Sequence, residues 1–107
     1  MILTIHPQDP QDRLIKKAVE VLRAGGVIIY PTDTVYGFGC DIFQPKAIER
    51  ICRIKGIDPQ KANLSFVCSD LSDLSKYAKS ISTPQYRFIK NLIPGPFTFI
   101  LPASKEV

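Results

Sequence analysis

Apolar and polar positions in this chain switch between two periods, and glycine or proline marks most of the switches. Residues 1–5 (MILTI) are short, apolar and partly β-branched, and predict a strand. Pro7, Asp9 and Pro10 break it and open a helix. Asp12 either caps that helix or sits in its first turn, where a carboxylate is favourable against the helix dipole. Leu14, Ala18, Val21 and Leu22 recur at helical spacing, with Ile15 and Val19 widening the stripe. Arg13, Lys16, Lys17, Glu20 and Arg23 take the other side. Gly25-Gly26 ends the helix as a left-handed cap would. Residues 27–30 predict the second strand. A second helix runs from Pro45, a good first-turn residue, to Ile54 or Lys55 and stops at Gly56. Residues 64–68 predict a third strand, after which Ser69 or Asp70 caps a short helix, LSDLSKYA. Ser82 or Thr83 with Pro84 starts another, PQYRFIKNL. Pro94-Gly95-Pro96 breaks it, and residues 97–101 (FTFIL) predict a last strand with Phe97 and Phe99 facing the core.

The order β-α-β-α-β-α-α-β implies an α/β fold with a mixed sheet. No repeat, linker or low-complexity stretch divides residues 1–107, so a single domain is expected. Composition changes this picture little: 45% hydrophobic and 22% charged residues fit a soluble globular protein. A net charge of +4 is compatible with an anionic partner without demanding one. No apolar run approaches the roughly 20 residues of a membrane span. The N-terminus lacks the basic and apolar regions of a signal peptide, so no membrane partner and a cytoplasmic location are expected. Cys40, Cys52 and Cys68 are odd in number and widely spaced, with one His beside them, which is neither a disulfide framework nor a zinc pattern. They read as buried free thiols, and His6 as a structural or surface histidine.

The chemistry concentrates at YPTDTVYGFGCD, residues 30–41. Ligands of open α/β sheets collect beyond the carboxyl ends of strands, and Tyr30 ends one. Pro31 sets the exit direction and cannot continue a ladder. Thr32 and Thr34 offer hydroxyls that donate and accept. Gly37 and Gly39 let backbone approach a ligand closely. Such a loop suits a polar, partly anionic small molecule. The same composition also describes a tight loop whose Thr and Asp side chains satisfy their own backbone.

PTDTVYGFGCD closely resembles the PT(D/E)TVYGLG signature of the YrdC/Sua5 family, the threonylcarbamoyl-adenylate synthases. AIERICRIK at 47–55 resembles the helix that leads to the family's lysine, and NLSFVC at 63–68 the strand that follows. IPGPFTFIL at 93–101 is similar to the family's WPGPxTxIL stretch, and the wording is closest to the YciO-like branch. The resemblance implies a YrdC-like twisted mixed sheet with flanking helices around a positively lined cavity. It implies a reaction of L-threonine, bicarbonate and ATP that gives threonylcarbamoyl-AMP and pyrophosphate, serving modification of adenosine 37 in tRNA. It also implies a capacity to bind tRNA or double-stranded RNA.

Carried onto this sequence, the resemblance assigns Thr32, Thr34 and Tyr36 to the amino-acid pocket. Lys55 becomes the catalytic and nucleotide-binding cation, Thr98 a further nucleotide contact, and Arg53 a substitute cation one turn earlier. Adenylyl transfer builds negative charge around phosphorus, so cations and fixed donors matter more than a nucleophilic side chain. No carboxylate cluster forms a metal site, so Mg²⁺ would arrive with ATP. Lys46, Arg50 and Arg53 share one helix face, opposite Ala47, Ile51 and Ile54, and could meet RNA phosphates. Ordinary roles stand beside these: Lys55 as a charge at the helix C-terminus, Thr98 as a strand threonine, Tyr36 as a half-buried anchor, and the basic stripe as a solvated face.

Two departures qualify the resemblance. The family reads Lys-x-Arg where this chain has Lys55-Gly56-Ile57, losing one bidentate guanidinium. Family domains are nearly twice as long and carry a later Ser-x-Asn motif that this sequence lacks. These imply a domain incomplete at its C-terminal side, with an exposed sheet edge through which a homodimer could form. The alternatives are a divergent paralogue with another acyl or carbamoyl substrate, or a noncatalytic RNA-binding module.

Overall fold

The computed structural model describes residues 1–107. They form an α/β fold that divides into two compact units, Met1–Ala62 and Asn63–Val107.

In the first unit, helix α1 (Asp12–Arg23) leads into strand β1 (Ile28–Pro31), strand β2 (Tyr36–Gly39) and helix α2 (Pro45–Lys55). Asp12 lies in the first turn of α1 and does not cap it; Gln11 occupies the cap position. His6 organises the approach. Its Nδ1 accepts the backbone N–H groups of Gln8 and Asp9 at 3.3 and 2.9 Å, and its own N–H donates to Gln11 Oε1 at 3.1 Å. Along α1, Leu14, Ala18, Val19, Val21 and Leu22 are half-buried, whereas Ile15 stays exposed.

Both long helices of this unit end in the same way. Gly26 N–H donates to Val21 O at 2.8 Å and Gly25 N–H to Leu22 O at 3.0 Å. Ile57 N–H donates to Cys52 O at 2.9 Å and Gly56 N–H to Arg53 O at 3.3 Å. These paired bonds are Schellman closures, and they require the left-handed backbone that Gly25 (φ 85°) and Gly56 (φ 69°) adopt. Gln44 Nε2 donates to Arg23 O at 3.0 Å, tying the end of α1 to the start of α2. The buried side chains of the unit are Ala47, Ile51 and Cys52, all on α2. Ile54, expected on that inner face, is half exposed at 52%. The apolar stripe turns toward Ile48 and Cys52 instead.

β1 and β2 form a two-stranded antiparallel sheet in the register Ile28↔Gly39, Ile29↔Phe38, Tyr30↔Gly37, Pro31↔Tyr36. Here structure and sequence reading part. Residues 36–39 were expected as loop and are a strand, and Pro31 closes the ladder opposite Tyr36. Residues 1–5, 64–68 and 97–101 have strand composition but join no ladder. A strand is defined by its partner's hydrogen bonds, which composition does not supply.

In the second unit, the backbone N–H of Ser72 donates to Asp70 Oδ1 at 2.5 Å, capping a 3-10 turn at Leu71–Asp73. That bond, more than any other influence, holds the Asp70 carboxyl below its usual pKa. Helix α3 (Leu74–Tyr77) follows, then helix α4 (Thr83–Leu92). Ser82 caps α4 in a capping box: Ser82 Oγ accepts Gln85 N–H at 3.3 Å, and Gln85 Oε1 accepts Ser82 N–H at 3.0 Å. The chain end is pinned to α3. Lys79 N–H donates to Pro102 O at 3.0 Å, Ser104 N–H to Tyr77 O at 2.9 Å, and Ala78 bridges Ala103. Ala78 and Ile89 are the buried apolar residues of this unit. Phe99 is half-buried and meets Phe88 edge-on at 6.5 Å. Phe97, expected inside with it, is exposed, because no second layer of sheet covers residues 97–101.

The cysteines are all free. Cys52 is buried and Cys40 half-buried, but Cys68 is exposed, contrary to the expectation of three buried thiols. It lies in an extended stretch that no ladder draws into a core.

Candidate functional site

The candidate site centres on the four-residue turn Thr32-Asp33-Thr34-Val35 between β1 and β2. Thr32 builds the turn. Its N–H donates to Val35 O at 3.2 Å, its hydroxyl also donates to Val35 O, and the Thr32 hydroxyl oxygen accepts Thr34 N–H at 3.3 Å. An ST-type turn of this kind replaces the hydrogen bonds that a two-residue hairpin would make through its backbone. Of the two readings the sequence left open, self-satisfaction holds for Thr32. The Thr34 hydroxyl lies 3.4 Å from that of Thr32, and Thr34 is exposed at the tip.

The ladder separates the neighbouring side chains into two faces. Ile29, Pro31, Tyr36 and Phe38 point to the exposed side. Tyr36 is 72% exposed, so it is a rim aromatic and not a half-buried anchor. Ile28, Tyr30, Gly37 and Gly39 occupy the half-buried side. Gly39 has a packing reason to be glycine: a Cβ there would lie 2.8 Å from Tyr30 Cε1. Asp41 then redirects the chain into α2, its carboxylate accepting Phe43 N–H at 2.9 Å and its carbonyl Gln44 N–H at 3.0 Å. Burial, then the adjacent Asp41 charge, then Cys52 push the Cys40 thiol above its ordinary pKa.

The predicted cations stand on α2. Lys55 is its last residue, exposed, immediately before the left-handed Gly56. Arg53 shares that last turn, and Lys46 and Arg50 precede it at spacings of seven and three residues, all exposed. The structure thus brings the Thr32 and Thr34 hydroxyls within 3.4 Å, and puts Arg53 and Lys55 two residues apart in the last turn of α2. Both groups belong to the first unit, but no hydrogen bond or ring contact links the turn to the cations. Thr98 belongs to the second unit, on an exposed stretch outside any ladder. No group of three or more His, Cys, Asp or Glu side chains is placed to hold a metal. No helix is long and apolar enough to cross a membrane. Sequence reasoning did not anticipate that the Thr32 hydroxyl is committed to its own turn, nor that Tyr30 lies over Gly39. The T-D-T spacing carried the first signal; the alternating Tyr30 and Gly39 carried the second once a hairpin is assumed.

Comparison with known proteins gives a consistent result. The family model Sua5_yciO_yrdC, described as telomere recombination, matches residues 20–107. An uncharacterized protein of Haemophilus influenzae is 52% identical over 103 residues, which are 96% of this chain and 49% of that protein. The uncharacterized protein YciO of Escherichia coli is 50% identical over the same share of each chain. Its crystal structure superposes with a TM-score of 0.86, covering 96% of this chain and 49% of that one. A threonylcarbamoyl-AMP synthase of Chromobacterium violaceum is 38% identical over 101 residues, 94% of this chain and 52% of that protein. The chain therefore spans about half the length of the curated relatives it matches. On the extent of these matches, this chain belongs to the Sua5/YciO/YrdC family.

Proposed function

We propose that this chain carries the amino-acid and triphosphate contacts of an ATP-dependent L-threonylcarbamoyladenylate synthase-like protein acting in cytoplasmic tRNA modification. The observation that carries the reading is the hairpin tip, where Thr32 rigidifies the turn and leaves the Thr34 hydroxyl exposed. Similarity to a named threonylcarbamoyl-AMP synthase along nearly the whole chain supports it. In the proposed reaction the amine of threonine combines with bicarbonate, losing water, to give a carbamate. A carbamate oxygen attacks the α-phosphorus of ATP, the bond from that phosphorus to the bridging oxygen breaks, and pyrophosphate leaves. Thr34 orients the amino acid, Tyr36 walls its exposed side, and Lys55, with Arg53 two residues before it, balances charge on the phosphates. Mg²⁺ arrives chelated by the triphosphate and supplies further charge neutralisation.

The test is pyrophosphate release with ATP, L-threonine and bicarbonate, with the adenylate product identified by mass spectrometry. Release that requires all three substrates supports the reading. Release that ignores threonine, or accepts another amine or acyl donor in its place, would assign the chain to a divergent branch, as the uncharacterized YciO relatives and Ile57 in place of arginine allow. A noncatalytic RNA-binding reading is favoured by one observation, the exposed row Lys46, Arg50 and Arg53 on α2. Replacing each contacting cation should lower the salt slope of RNA binding by about one unit.

A further inference from the structure

Residues 97–101 (FTFIL) belong to the second unit and carry no charge, glycine or proline. Just beyond them the chain is anchored: Pro102 O accepts Lys79 N–H at 3.0 Å, Ser104 N–H donates to Tyr77 O at 2.9 Å, and Ala103 bridges Ala78 in the antiparallel sense. Continued backward, that ladder would set residues 98–101 beside 80–83. It stops instead. Ser80 has a left-handed backbone at φ 59°, which extended pairing does not accommodate, and Ser82 N–H is already given to the capping box of α4. The backbone N–H and C=O groups of residues 98–101 are therefore left without hydrogen-bond partners. Ile100 is 96% exposed and Phe97 is exposed beside it, while Phe99 is half-buried against Phe88. An apolar, uncharged strand with free backbone groups is a template for another strand.

Three observations favour a second copy of this chain as that other strand. Antiparallel pairing about a two-fold axis at Phe99 sets Thr98 opposite Ile100 and Phe97 opposite Leu101, so β-branched residues meet each other and an aromatic meets an aliphatic. The segment brings no charge against its own copy. The surface also suffices. The chain exposes 8917 Å², whereas two separately folded pieces of half its mass would expose about 7,200 Å² in all. That excess is about twice the roughly 800 Å² that each partner buries in a standard interface. We propose that residues 97–101 are a strand-addition edge through which two copies of this chain form a two-fold dimer.

Sedimentation equilibrium of the whole chain, from low micromolar to submillimolar concentration, should show a monomer–dimer equilibrium. Ile100→Lys places a charge on the edge at a site that nothing covers in the monomer. It should weaken the dimer by about 10-fold or more, and leave the melting temperature at low concentration unchanged. Ile100→Val should keep the dimer within about 3-fold of the parent. In the unaltered chain, a mixture of ¹³C-labelled and unlabelled protein should give filtered NOEs between the Thr98 methyl of one copy and the Ile100 methyls of the other. A chain that stays monomeric throughout overturns the inference. So does a dimer that Ile100→Lys leaves intact, open-ended aggregation in place of a dimer, or a set of contacts between copies that omits Thr98 and Ile100.

Discussion

Helix α2 and the β1–β2 hairpin lie in the same compact unit and use their residues in opposite ways. The helix holds every buried side chain of that unit, Ala47, Ile51 and Cys52, and leaves its cations outside. The hairpin presents Ile29, Tyr36 and Phe38 on its exposed face and commits the Thr32 hydroxyl to a turn. Burial of apolar area is the main favourable contribution to folding, so stability should reside in α2. The hairpin contributes shape: a tip fixed by the Thr32 hydrogen bonds.

The largest contrast should come from cutting one isoleucine in each region. Ile51→Ala, at a site 5% exposed, should cost about 2–5 kcal/mol of unfolding free energy in urea. Ile29→Ala, at a site 66% exposed, should cost no more than about 0.5 kcal/mol. Comparable losses would erase the distinction between the two regions.

Gly39→Ala should be the most damaging change within the hairpin, at about 1–3 kcal/mol, because its new methyl meets the Tyr30 ring. In a Tyr30→Ala background the same change should cost much less, and a double-mutant cycle would read that coupling. If the two changes simply add, Tyr30 is not what demands glycine at this position.

Smaller again is the difference between the two threonines. Thr32→Val removes a hydroxyl that donates to Val35 O and accepts Thr34 N–H, and should cost about 1 kcal/mol in urea unfolding. Thr34→Val should leave stability nearly unchanged and weaken L-threonine binding instead. A reversed pattern would show that Thr34, and not Thr32, organises the tip.

The smallest effect is chemical. Maleimide labelling followed by mass spectrometry should modify Cys40, just after the hairpin, well before buried Cys52 in α2. Burial and Asp41 raise the Cys40 pKa, so less of it is thiolate at pH 8 than for an unperturbed cysteine. Its rate should therefore keep climbing as pH rises past the ordinary thiol value. A rate that levels off below that value would contradict the raised pKa.

The same contrast explains what could be read from the sequence. The spans of α1, α2 and α4 follow from local information: helical spacing, proline in the first turn of α2 and α4, Ser82 before α4, and glycine after the last turn of α1 and α2. Each of those features acts within four residues. β2 was missed because YGFG reads as loop, its two glycines hiding the alternation that Tyr36 and Phe38 would otherwise show. The strands expected at 1–5, 64–68 and 97–101 had the right residue types, but pairing depends on a distant partner. The site was legible as a place, the T-D-T tip followed by glycines. The separate duties of Thr32 and Thr34, and the packing of Tyr30 over Gly39, depend on the hairpin register, which a single sequence does not state.

The proposed function requires that the hairpin tip and the end of α2 hold one ligand set between them. Amide spectra of the ¹⁵N-labelled chain, titrated with ATP and L-threonine together, test it most directly. The account predicts that Thr32, Thr34 and Gly37 shift along with Lys55 and Gly56, at one common saturation point, and that Lys55→Ala abolishes both sets of shifts. Shifts confined to one of the two segments, or saturating at unrelated concentrations, would contradict it.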